Sequence, residues 1–98
     1  MIQIKVNNYS VEVIGHAGYL PYGSDIVCAG ISALYQTLEH SAMELTECNY
    51  ETSSEAGYGR ISPIGDVSNE YKLLVSSFLI GVNGIAANYP DYVIVHAD

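Results

Sequence analysis

Ser24-Asp25-Ile26-Val27-Cys28-Ala29-Gly30-Ile31-Ser32, preceded by Gly15-His16-Ala17, is where the chain changes its period. Upstream, Ile2, Ile4 and Val6, then Val11 and Val13, alternate with polar residues. Downstream, Ile31, Leu34, Tyr35, Leu38 and Ala42 recur at helical spacing. Alternation puts apolar side chains on one face of a strand, and helical spacing puts them on one stripe of a helix. An apolar strand therefore hands over to an apolar helix across a loop. The hand-over leaves an imidazole and a thiol at facing chain ends.

Toward the N-terminus, two strands form a hairpin with Asn7-Asn8 between them, since Asn tolerates the left-handed backbone of a tight turn. The second strand runs through Ile14 into Gly15-His16. Gly18, Tyr19, Leu20, Pro21, Tyr22 and Gly23 then make a loop without regular period, expected to move and to close over a ligand. Its tyrosines serve equally well as a substrate wall or as a lid packed on the core. Toward the C-terminus, Ser24 or Asp25 caps the first helix, which ends near His40. A second hairpin follows, with strands Glu47 to Thr52 and Tyr58 to Ile64 around a polar turn at Ser53-Ser54-Glu55-Ala56-Gly57. Ser68-Asn69-Glu70 opens a second helix that Pro90 ends, and Tyr92 to His96 is a last strand. The order is ββαββαβ. This predicts an α+β fold, a mixed or antiparallel sheet packed with two helices in two or three layers, as one domain over residues 1–98.

The chain has 98 residues with 49% hydrophobic and 14% charged side chains, a composition that folds rather than stays disordered. Its formal net charge of −8 argues against nucleic acid as a partner and suits a basic peptide, although acidity also serves solubility alone. Cys28 and Cys48, the latter read as a strand residue, show no disulfide or zinc-ligand spacing, so no metal and no cofactor are expected. The N-terminus lacks the signature of a secretory leader, and the stretch from Leu73 to Ala87 is too polar for a membrane span. The expected compartment is the cytoplasm, with no membrane partner.

Hydrolysis by a thiol needs a thiolate, a nearby base, and donors for the oxyanion that forms on the attacked carbonyl. A cysteine in the first turn of a helix has unpaired backbone amides and the positive end of the macrodipole beside it, so Cys28 read there gains both thiolate and oxyanion donors. His16 supplies the base if the loop folds back, and Gly15 beside it lets backbone approach a substrate. His40 and His96 are lesser alternatives. Asp25, Cys28 and Ser32 share one helical face by spacing. Asp25 either caps the helix or orients the imidazole, and Ser32 bonds either the thiolate or an upstream carbonyl. An unpaired cysteine can also be an inert core residue.

These residues carry a resemblance. Gly15-His16-Ala17, then Gly23-x-Asp25-Ile26-Val27-Cys28-Ala29, then Ser32, resembles the signature of the ribosomal-processing cysteine proteases, the Prp family. Gly81-x-x-Gly84-Ile85-Ala86-x-x-Tyr89-Pro90-x-Tyr92-Val93 is similar to the end of the same family. The resemblance implies a cytoplasmic, dimeric endopeptidase with Cys28 as nucleophile and His16 as base, supported by Gly15, Asp25 and Ser32. It also implies a substrate cut after an aromatic residue within a basic-flanked N-terminal extension of a ribosomal protein. The loop Tyr19-Leu20-Pro21-Tyr22 is bulkier than that family's pattern, which bears on substrate choice, as in a relative that cuts a phage or other cellular protein. A function of another class stands beside this one: a non-catalytic acidic module that keeps the fold and binds a protein partner in its groove.

A homodimer is expected from surplus apolar surface. The second helix carries Leu74, Val75, Phe78, Val82 and Ile85 on one side, with Leu73 and Ile80 elsewhere. Gly81 and Gly84 each cost about 1 kcal/mol in helix stability relative to Ala, which a closely packed second chain would explain. Accommodation of the sheet or the first helix of the same chain is the other explanation.

Overall fold

The computed structural model describes residues 1–15 and 23–98, with the side chains of residues 23–25 outside the description. Its elements are β1 (Ile2–Asn7), β2 (Ser10–Ile14), α1 (Gly23–Leu45), β3 (Asn49–Glu55), β4 (Tyr58–Ile64), α2 (Asn69–Asn88) and β5 (Val93–Ala97), in the expected ββαββαβ order. The strands form a five-stranded mixed sheet in the order β3-β4-β2-β1-β5, with β1 and β5 parallel and the other neighbours antiparallel. This is the α+β fold read from the alternating and helical periods.

Alternation decides which face is covered. Ile2, Ile4 and Val6 of β1, Val11 of β2, Ile61 of β4 and Val93 of β5 are buried in one cluster with Ile31 and Leu38 of α1 and Val75, Phe78 and Val82 of α2. The other face is polar: Lys5 stands opposite both Glu12 and His96, and Glu12 stands opposite Arg60. Both helices therefore lie on one side, and the fold has two layers. Among the described residues, no helix is long and apolar enough to cross a membrane.

Several boundaries differ from expectation. The first hairpin turns at Asn8-Tyr9, both with positive φ (50° and 64°), rather than at Asn7-Asn8, because Asn7 pairs with Ser10. β3 continues through Ser53, Ser54 and Glu55, and the hairpin closes in two residues at Ala56-Gly57, where Gly57 takes φ +75°. β3 is an edge strand in which only Tyr50 is even partly buried, so its polar composition marks exposure rather than a turn. Cys48 precedes the strand instead of lying in it. α1 runs on to Leu45, which places His40 inside the helix.

The helices meet through glycine. A Cβ on Gly81 of α2 would come within 2.9 Å of Leu34 Cδ1, and one on Gly30 of α1 within 3.2 Å of Ile85 Cδ1. Gly81 thus accommodates the chain's own α1. Gly84 has nothing within 4 Å of that position. At the start of α2, Ser68 Oγ accepts from the Tyr71 amide at 3.1 Å, as the Ser68-Asn69-Glu70 opening predicts.

Candidate active site

Where α1 passes over the ends of β2 and β4 and the start of the β3–β4 turn, a cleft of about 200 Å³ opens. α1 forms its wall with Cys28, Ser32, Tyr35, Gln36 and Glu39, which recur at three- and four-residue spacing and so share one helical face. Val13, Gly15, Ser54, Glu55, Gly57, Tyr58 and Gly59 of the sheet form the opposite side. Of the residues that the sequence singles out, the structure brings Gly15, Cys28 and Ser32 together here. His16, Ala17 and the loop residues Gly18, Tyr19, Leu20, Pro21 and Tyr22 lie outside the described residues. Gly23 is the first residue of α1 rather than part of the loop, so Ser24 and Asp25 fall within the first turn rather than at a cap before it.

Cys28 is the sixth residue of α1, one turn deeper than the first-turn position expected of it. A helix leaves only its first four amides without intrahelical partners, and macrodipole effects fall off within the first turn. The Cys28 amide is therefore not one of the free donors; those belong to the turn before it. The half-buried Cys28 side chain nevertheless reaches the cleft.

Gly15, expected to let backbone approach a substrate, also meets a requirement of the fold. Its φ is +99°, and an added Cβ would stand 2.5 Å from the Met1 carbonyl oxygen. The glycine lets the backbone pass the start of β1, while its amide donates to Gly57 O at 2.8 Å and ties β2 to the β3–β4 turn.

Tyr35, Gln36 and Glu39 are cleft residues that sequence reading had not singled out as functional, although extending the Cys28–Ser32 spacing by the helical period reaches all three. Tyr35 is only 6% exposed, its ring lies on Gly59, and its hydroxyl donates to Glu39 Oε2 at 3.0 Å. Burial, and then the neighbouring Glu39 carboxylate, push the Tyr35 phenol far above its usual range, so it remains a donor at any physiological pH. Ser54 and Glu55 join the site only because β3 is longer than its composition suggests.

The other polar features stand apart. His96 lies on β5 opposite Lys5, on the sheet face away from α1. His40 sits in a shallow hollow with Ala33, Ser41 and Glu44, outside the cleft. Cys48 does not line the cleft; hydrogen bonds from the Ser68 side chain and backbone hold its thiol below the ordinary range. No group of His, Cys, Asp and Glu suited to a metal occurs among the described residues.

Residues 1–94 match the model of the family Cysteine protease Prp. The Ribosomal processing cysteine protease Prp of Staphylococcus aureus (strain Mu50 / ATCC 700699) is 30% identical over 96 residues, 90% of this chain and 89% of that protein. A crystal structure of the essential ribosomal processing protease Prp from S. aureus, in complex with a covalently linked product peptide, superposes with a TM-score of 0.82. It is 25% identical and covers 99% of this chain and 97% of its own. The crystal structure of SMU.848 from Streptococcus mutans, 30% identical, superposes at 0.77 over 99% of this chain and 93% of that one. By sequence over nearly its whole length, and by a fold shared with a peptide-bound relative, the chain belongs to the Prp family of cysteine proteases.

Proposed function

We propose that the chain, as a single domain and as a homodimer in the cytoplasm, is an endopeptidase that removes a short, basic-flanked N-terminal extension from a ribosomal protein or a related cellular or phage protein. Cys28 is its nucleophile and His16 its base. The observation that carries this reading is the cleft in which a half-buried thiol on a helix faces a glycine whose next residue in the chain is a histidine. The other two histidines support the same choice by their positions, since His96 is on the far face of the sheet and His40 is outside the cleft.

In this reading Cys28 Sγ attacks the scissile carbonyl carbon while His16 takes the thiol proton. The tetrahedral oxyanion draws on backbone amides, and the unpaired ones of the first turn of α1 are the nearest that this element offers. Collapse of the intermediate breaks the C–N bond, with His16 returning the proton to the leaving amine. Water, activated by the same imidazole, then hydrolyses the thioester. Ser32 and Asp25 support the helix face that holds the thiol.

The test is turnover of a peptide spanning such an extension. Cys28→Ala is expected to abolish cleavage without unfolding the chain, because the substitution removes one half-buried sulfur. His16→Ala is expected to lower kcat by about 10²- to 10⁴-fold with peptide affinity retained. Substantial cleavage by Cys28→Ala removes the nucleophile. Peptide binding with no cleavage by the parent chain supports the alternative of a binding module.

A further inference from the structure

Among the described residues, Glu39 has one hydrogen-bonding partner and spare capacity. Its Oε2 accepts from the Tyr35 hydroxyl, and among the described residues Oε1 has no partner on the cleft wall that Glu39 helps to form. Tyr35 is itself fixed, since its ring is buried and rests against Gly59, so the carboxylate is held in place rather than left to roam. Among the described residues, no lysine or arginine lines the cleft. The sequence has no Lys or Arg between Lys5 and Arg60, a span that covers the loop after Gly15, all of α1 and all of β3. Arg60 and Lys5 stand in a hollow on the other face of the sheet. Glu55 adds a second carboxylate to the same cleft.

The helix also gives a ruler. Cys28 and Glu39 are eleven residues apart on α1. At about 1.5 Å per residue this is about 16 Å. An extended peptide covers that length in about five residues, at about 3.3 Å each.

Resting on the endopeptidase reading above, we propose that Glu39 is a specificity-determining residue that accepts the side chain of a substrate lysine or arginine four to six residues from the scissile bond. The carboxylate is placed by Tyr35 and completed by the substrate's cation, so the preference is for charge at one distance and not for basic peptides in general. A partly exposed ion pair of this kind is worth about fivefold in kcat/KM.

The experiment digests a bacterial lysate with endoprotease Glu-C, which leaves lysines internal. The peptides are then incubated with the wild-type chain, with Glu39→Gln and, as the blank, with Cys28→Ala. Lysine or arginine is expected to be enriched at one position four to six residues from the cut bonds, and Glu39→Gln is expected to erase that enrichment. On a synthetic copy of the best substrate, replacing that lysine by glutamine is expected to cost about fivefold with the wild type and less than twofold with Glu39→Gln. Cleavage with no enrichment at that distance, or enrichment that survives Glu39→Gln, overturns the subsite and leaves the endopeptidase standing. No cleavage of any peptide above the blank overturns the endopeptidase reading and the subsite with it.

Discussion

Cys28 and Cys48 divide between them two properties that sequence reading placed on one residue. Cys28 has the cleft, but it sits in the second turn of α1, where its amide is committed to the helix. Cys48 has the helix-start environment, since the side chain and backbone of Ser68, the N-cap of α2, hydrogen-bond to its sulfur and favour thiolate. The direction of the shift fixes the sign of a pH effect. A thiol held below its ordinary range is more extensively ionised at any pH below that range, so Cys48 is expected to be alkylated faster than a free thiol between pH 7 and 8. Ser68→Ala removes the largest cause and is expected to move the midpoint of the alkylation profile upward. Peptide mapping after brief iodoacetamide treatment of Cys28→Ala measures this directly; a Cys48 rate equal to that of a free thiol, unchanged by Ser68→Ala, would show that the hydrogen bonds do not persist in solution. Labelling meant to report on Cys28 therefore belongs in a Cys48→Ser background.

At the scale of elements, the cleft depends on how closely α1 lies over β4. A Cβ on Gly59 would stand 2.7 Å from Tyr35 Cε2, and a buried aromatic ring has little room to move aside. Gly59→Ala is accordingly expected to cost about 1–3 kcal/mol of stability, as overpacking of a close contact does. It is also expected to pull the Tyr35 hydroxyl away from Glu39. Urea denaturation measures the first effect. For contrast, Gly84→Ala, where nothing lies within 4 Å, is expected to stabilise the folded chain by about 0.5–1 kcal/mol through helix propensity. The same packing explains what was legible beforehand. β1, β2 and α2 each bury one regular face, so alternation or helical spacing announced them, and Ser68 announced its cap. Cys28 and Ser32 were legible as one helical face. β3 was cut short because an edge strand beyond the helices has no buried face to set a period, and with it went Ser54 and Glu55 as cleft residues. The close approach of Met1 to Gly15 is a tertiary fact with no local trace in the sequence.

For the whole molecule, the expectation is a homodimer, and the structure narrows the part of α2 on which it is argued. Gly81 is already used against Leu34, so the glycine pair no longer marks a second chain. Leu73 and Ile80, expected on the same surface, lie on the outer side of α2. Leu73 is 71% exposed and Ile80 is 76% exposed, and with Ser77 and Gly84 they recur at four- and three-residue intervals, which aligns all four along one uncharged stripe. Such a stripe is self-complementary. Two copies of α2 crossing antiparallel about a twofold axis would set each Leu73 toward the partner's smaller residues, and an isologous contact needs no other surface. Burying one large aliphatic side chain is worth about 1.5–3 kcal/mol, so replacing it by a carboxylate should act on association well before it acts on folding. Leu73→Glu and Ile80→Glu are each expected to shift the chain toward its monomer mass of 10.6 kDa in sedimentation equilibrium at micromolar concentration, with denaturation midpoints extrapolated to low protein concentration little changed. Gly84→Ala then separates the two roles of this helix, because it is expected to stabilise the monomer while weakening a dimer whose helices touch there. A parent chain of monomer mass throughout the concentration range would reject the dimer, and a dimer indifferent to both glutamate substitutions would place its interface on another face.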